Sequence, residues 1–118
     1  MTTIPVPVEI RAPLGAQTLE IDWSDGGTSF LPHRLLRAFC PCAHCQGHQG
    51  PIRYAPVIDQ IPAPSLDLQN LEEVGNYALR LVWADGHATG IYAFRYLLAL
   101  SELGDAPDSV LRTSTFER

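Results

Sequence analysis

The chain has 118 residues, of which 46% are hydrophobic and 18% charged, enough for one compact core and too few for two. Its formal net charge is −5, with 13 Asp and Glu against eight basic residues, which argues against a broad phosphate-binding face and hence against a nucleic-acid partner. The basic residues are all arginine, a bias that reads as GC-rich codon usage rather than as a set of anion grips.

The opening "MTTIPVPVEIRAPLG" has three prolines and no apolar run suited to a signal peptide or a spanning helix. No membrane association and a cytoplasmic location are therefore expected. Within this stretch "PVEIRAP" reads as a short edge strand, with Pro5, Pro7 and Pro13 discouraging further pairing. Two later segments echo one another. "LEIDWSDGGTSFL" (19–31) and "LRLVWADGHATGI" (79–91) share Leu, Trp, Asp-Gly and a closing apolar residue at an offset of 60. Each predicts a strand, a two-residue turn at Asp25-Gly26 or Asp85-Gly86, and a second strand. Trp23 and Trp83 are expected to cover the core face.

A helical pattern follows each hairpin. Leu31, Leu35, Leu36 and Phe39 recur at helical spacing with Pro32 in the first turn. Phe94, Tyr96, Leu97 and Leu98 do the same in "YAFRYLLALSEL", closing at Gly104. Between the halves, residues 46–64 are rich in Pro and Gly and read as an irregular crossing, which needs an anchor in a domain this small. Strands are predicted near 66–72 and over 77–83, with a kink at Gly75-Asn76. The fold class is α+β: a mostly antiparallel sheet from two hairpin–helix halves, two helices, and a metal knuckle after the first helix. One domain over 1–118 is expected, with its core at about 4–104 and a flexible tail over 105–118.

All three cysteines fall in "FCPCAHCQGH" (39–48). An odd number cannot pair completely within one chain, and thiols are reduced in the cytoplasm, so a disulfide is a poor reading. Cys40, Cys42 and Cys45 form C-x-C-x2-C, and thiolates this close repel one another unless a cation neutralises them. Pro41 stiffens the turn and ends the helix, which predicts sulfurs displayed rather than buried in a helical core. A nucleophilic cysteine would need a base, for which His44 or His48 is available, and Arg37 could lower a thiol pKa. Three clustered thiols fit a metal better, and no catalytic residue is assigned.

Three sulfurs leave one tetrahedral position. Local spacing nominates His48. His44 lies between two ligands and would strain the turn, while His33, upstream on the helix, reads as solvated. His87 is remote but follows the second Asp-Gly turn, where the first half has Gly27.

"LRAFCPCAHCQG" together with "VGNYALRLVWADGHATGIYAFRYLLAL" resembles the gamma-butyrobetaine hydroxylase-like N-terminal domain family, over roughly residues 19 to 103. In the hydroxylase such a domain precedes the oxygenase and binds zinc through three cysteines and one histidine. The resemblance implies Cys40, Cys42, Cys45 and His87 as ligands, and a metal that ties the two halves together. It brings no oxygenase: the two-His, one-carboxylate iron site is not legible among four histidines, so oxidation of a betaine is not expected. The implied function is a structural-zinc accessory or protein-interaction module without activity of its own. The rival is iron or an iron–sulfur cluster, since similar domains are fused to P-loop iron–sulfur carriers and sulfur-rich sites suit both. A protein partner is expected, with Tyr92, Phe94 and Tyr96 close together in "TGIYAFRYLL".

Overall fold

Alternating apolar and polar residues build the first half. In the computed structural model, which describes residues 5–13, 15–47 and 50–117, strand β1 (Pro7–Arg11) pairs antiparallel with β2 (Thr18–Trp23), and β2 with β3 (Thr28–Pro32). Leu19, Ile21 and Trp23 point inward from β2, and Trp23 Nε1 donates to the buried Ser29 hydroxyl at 2.8 Å. The opposite face is charged: Arg11 bridges Glu20 and Asp22, with a two-pronged bond to Asp22 at 2.8 and 3.0 Å. Helix α1 (His33–Ala38) follows directly, entered through Pro32, whose φ of −55° already suits a helix.

The crossing contains helix α2 (Ala43–Gln46), strand β4 (Ile52–Arg53) and two 3-10 turns, Pro56–Gln60 and Ala63–Leu66. The second half repeats the first. Strands β5 (Leu68–Val74), β6 (Ala78–Trp83) and β7 (Ile91–Ala93) form another antiparallel three-stranded sheet and lead into helix α3 (Phe94–Ser101). Equivalent backbone bonds start the two helices: His33 N–H to Gln17 O and Phe94 N–H to Tyr77 O, both 2.8 Å. Leu19, Ile21 and Leu36 from one half meet Leu79, Leu81 and Leu97 from the other in a shared core. Trp23 and Trp83 both lie in it, as expected.

The structure has the antiparallel α+β character predicted, but its six main strands divide into two sheets. The hairpin loops also differ from the predicted two-residue form. Trp23 N–H bonds to Gly27 O and Gly26 N–H to Trp23 O, which closes a three-residue loop with only Gly26 at positive φ (+91°). Residues 83–87 repeat this, with Gly86 at +90°. The constant offset fails as well: Trp23 and Trp83 are 60 positions apart, whereas the helix starts His33 and Phe94 are 61 apart. One extra residue therefore lies between His87 and β7.

The segment after Ala106, read from the sequence as flexible, folds back. Helix α4 (Asp108–Leu111) and strand β8 (Thr115–Phe116) follow, and β8 pairs with β4. Phe116 packs edge-on against Phe39 and Tyr96, with ring centroids 5.4 and 5.5 Å away. Arg112 and Arg34 share Asp59, which fastens α4 to α1 and the first 3-10 turn. A two-residue strand, Thr115–Phe116, gives no periodic signal from which this can be read.

His33 is the other reversal. It is 3% exposed, its ring edge-on to Trp83, and its Nδ1 lies 2.7 Å from Leu66 O. The carbonyl can only accept, so Nδ1 carries the proton, and the buried Nε2 has no partner. Burial holds its pKa below the usual histidine value. The unfolded chain thus takes up a proton at about pH 6.5 where the folded chain does not, so stability is fully present above that pH and falls as pH drops through it. His33→Gln, which retains an N–H for Leu66 O, should flatten this fall relative to wild type in urea titrations from pH 7.5 to 5 at fixed metal content. Parallel curves for the two proteins would show that His33 does not titrate differentially.

Candidate metal centre

Helix α1 ends at Phe39, and the chain turns through Cys40, Pro41 and Cys42 into α2. Cys42 caps α2: its carbonyl accepts from Cys45 N–H at 3.1 Å and Gln46 N–H at 3.0 Å, and this turn brings Cys45 back beside Cys42. Gly47 then stops the helix at φ +77°. The knuckle is tied at several points. Gln46, 8% exposed, donates to Cys40 O and Arg53 O and accepts from Arg53 N–H. Two tyrosines from the second half reach the last carbonyls of α1, Tyr92 to Leu36 O at 2.6 Å and Tyr96 to Phe39 O at 2.5 Å. Carbonyls left without a helical partner are thereby satisfied in the interior.

The other side of the site is built by the second hairpin. Trp83 N–H bonds to His87 O at 3.0 Å, and His87 N–H donates to Asp85 Oδ1 at 3.1 Å. Asp85 is in turn gripped by Arg37, with Nη1–Oδ1 at 3.2 Å and Nη2–Oδ2 at 2.7 Å. Arg37 is 9% exposed, and its guanidinium lies over Trp83, 5.7 Å from the ring centroid. The guanidinium holds the Asp85 carboxyl below its ordinary pKa. Arg37 is one helical turn before Cys40, so the ion pair locks the loop that carries His87 onto the helix that delivers the first sulfur.

Within this frame the Cys40, Cys42 and Cys45 sulfurs lie 3.4, 3.8 and 3.6 Å from His87 Nε2. One ligand atom from each of the four residues lies within 4.8 Å of every other. Cys40 and Cys42 stand outside the helices, on the turn after α1, and are buried where the second hairpin brings His87 to the knuckle. The thiol of Cys40 donates to Cys45, and this bond, with the nearby Arg37 charge, pushes Cys45 down to about 5 against the effect of burial. Sharing that bond and being buried, Cys40 is pushed the other way. The group thus offers three sulfurs and an imidazole, a donor set that can bind a metal ion.

His33 is turned away to Leu66 O. His44 lies in α2 between two of the cysteines, and His48 lies outside the described residues. The supporting residues were not assigned from the sequence. Asp85 reads there as a turn residue, and Gln46 carries no signal. Gly90 belongs to a motif whose physical reason appears only in three dimensions. A Cβ at Gly90 would stand 2.7 Å from Cys40 Sγ and 3.0 Å from the Tyr92 ring, so only glycine lets β7 pass this close to the sulfur.

Fold and site define a small α+β protein with a Cys3His group that joins two hairpin–helix repeats. Its sequence from 10 to 98 matches the model of the family "Gamma-butyrobetaine hydroxylase-like, N-terminal", and the chain belongs to that family. It is similar to a protein of unknown function of the DUF971 family from Acidithiobacillus ferrooxidans ATCC 23270, whose crystal structure was solved at 1.93 Å. The two are 34% identical with a TM-score of 0.61, over 80% of this chain and 91% of that one. A protein known from an NMR solution structure is 29% identical with a TM-score of 0.66, over 87% of this chain and 76% of its own. No protein of curated function matches the sequence.

Asp85→Ala leaves the Arg37 guanidinium buried without its carboxylate and frees the His87 backbone. It should cost about 2 kcal/mol of stability and weaken metal retention roughly tenfold. Urea unfolding and competition with a chromogenic chelator measure the two effects. Unchanged metal retention would remove the ion pair from the support of the site.

Proposed function

We propose that this chain is a non-catalytic accessory module whose Cys3His group holds one structural zinc ion, and that it works in the cytoplasm through a protein partner. The observation that carries this reading is the spacing of the donors. A tetrahedral zinc, with Zn–S about 2.3 Å and Zn–N about 2.0 Å, places its sulfurs about 3.8 Å apart and each about 3.5 Å from the nitrogen. The sulfur-to-Nε2 distances of 3.4, 3.6 and 3.8 Å match a single ion held by all four residues.

Four protein ligands complete a tetrahedron, whereas catalytic zinc keeps a position for water or substrate. This supports a structural role. A cluster of several irons takes its protein ligands on different metal atoms, and ligand atoms all within 4.8 Å of one another suit one ion better. A reducing compartment agrees with three cysteines that form no disulfide. Among the described residues no helix is long and apolar enough to cross a membrane.

Elemental analysis of protein purified without oxygen should find one zinc per chain in a colourless sample. Under chelator competition His87→Ala should lose metal at least roughly tenfold more readily than wild type, with His44→Ala and His48→Ala close to wild type. A brown protein with iron and acid-labile sulfide would overturn the zinc assignment. Equal weakening by His48→Ala would move the fourth ligand to that residue.

A further inference from the structure

Beside the knuckle, and separate from the four donors, runs a half-open groove of about 550 Å³. One wall is Ile91 and Ala93 of β7 with Arg95 at the start of α3. The other is Pro41, Ile52 and Phe116, from the knuckle and the β4–β8 ribbon. Beyond Arg95 a second hollow of about 350 Å³ continues the surface along Ala93, Phe94 and Tyr77. Ile91 and Tyr77, one beside each hollow, are 46% and 58% exposed.

The backbone along this groove is also unsatisfied. β7 is the edge of its sheet. Phe94 N–H bonds to Tyr77 O, so in antiparallel register Tyr92 and Leu79 form a hydrogen-bonded pair, and the N–H and C=O groups of Ile91 and Ala93 point away from β6. The Ala93 carbonyl, at the N-cap of α3, accepts that helix's first bond, but among the described residues the Ile91 N–H and C=O and the Ala93 N–H have no backbone partner. The corresponding edge in the first half is covered: at Gly104, just past α3, even a Cβ would come 3.0 Å from Phe30 O. Arg95 adds a charge in need of a partner. Arg11, Arg34, Arg37, Arg80 and Arg112 each pair with a carboxylate, whereas Arg95, between the two hollows, and Arg53, on β4, have none among the described residues.

We propose that the outer edge of β7 is a docking site for an extended segment of a partner protein, which adds a strand to the sheet. Its alternate side chains are apolar and enter the groove, and a neighbouring Asp or Glu pairs with Arg95. A second copy of this chain fits less well. Residues 87–95, "HATGIYAFR", contain no carboxylate, so a β7-to-β7 pair leaves both Arg95 side chains without an anion. Glu117 on the opposite wall sets the orientation, since the acidic end of the segment must lie at Arg95 and away from it. The proposal rests on the reading of the chain as an interaction module. Because Pro41 lies between two of the cysteines, the metal holds one wall of the groove in place.

The probe is a random twelve-residue peptide library displayed on phage, selected on metal-loaded protein and counter-selected on Arg95→Glu. Enriched peptides should combine alternating β-branched or aromatic residues with an acid. They should shift and protect the Ile91 and Ala93 amides in NMR spectra, and bind Arg95→Glu at least roughly tenfold more weakly. Arg95→Glu should keep the wild-type metal content, which separates failure of the groove from failure of the metal clasp. No enrichment, equal binding to Arg95→Glu, peptides that map elsewhere, or a concentration-dependent dimer that occupies the β7 edge would each overturn the proposal.

Discussion

Three cysteine sulfurs and an imidazole within 4.8 Å of one another, two of the sulfurs buried, form a group that needs a cation to carry its full negative charge. Much of what distinguishes the two repeats follows from assembling it. The first half supplies the sulfurs by extending α1 into the knuckle. The second supplies His87 at the position that Gly27 holds in the first hairpin. The extra residue before β7, the glycine against Cys40 and the pairing of buried Arg37 with Asp85 are all local departures from the repeat, and all of them touch the site. The first hairpin needs none of these, and its Asp25 merely caps its own turn through Gly27 N–H.

His87 is 42 to 47 residues from the three cysteines, so an ion held by the group would close the long Pro- and Gly-rich crossing. Metal binding in small structural zinc sites is on the order of 10–16 kcal/mol, comparable with or greater than the roughly 5–15 kcal/mol that stabilises a typical domain. The hairpins have their own ladder bonds and buried tryptophans. The crossing has two 3-10 turns, a two-residue strand and the Gln46 clasp. Its order therefore depends more on the ion than theirs does, and the groove beside β7, walled by Pro41 and Ile52, inherits that dependence.

Much of this was legible in the chain. The echo of Leu, Trp and Asp-Gly at an offset of 60 marks the two hairpins and their strands, and the C-x-C-x2-C spacing marks the candidate metal site. The histidine that meets the three sulfurs is not legible from spacing, which favours His48; only resemblance to a family points to His87. His33 was misread because its neighbours suggest a helix surface, while the ring is buried by Leu66 and Trp83, more than thirty residues away in sequence. The last strand was missed because two residues leave no periodicity, and Phe116 gains its place from Phe39 and Tyr96 rather than from its own segment. Asp85 and Gly90 show the same limit: each has a visible local role, and its second role exists only once the halves are together.

X-ray absorption at the metal edge of the purified protein tests the cross-link itself. The expected first shell is three sulfurs at about 2.3 Å and one nitrogen at about 2.0 Å, the nitrogen giving imidazole outer-shell scattering that disappears in His87→Ala. A light-atom ligand without imidazole scattering, the same spectrum after removal of His87, or short metal–metal scattering would contradict a single ion held between the two halves.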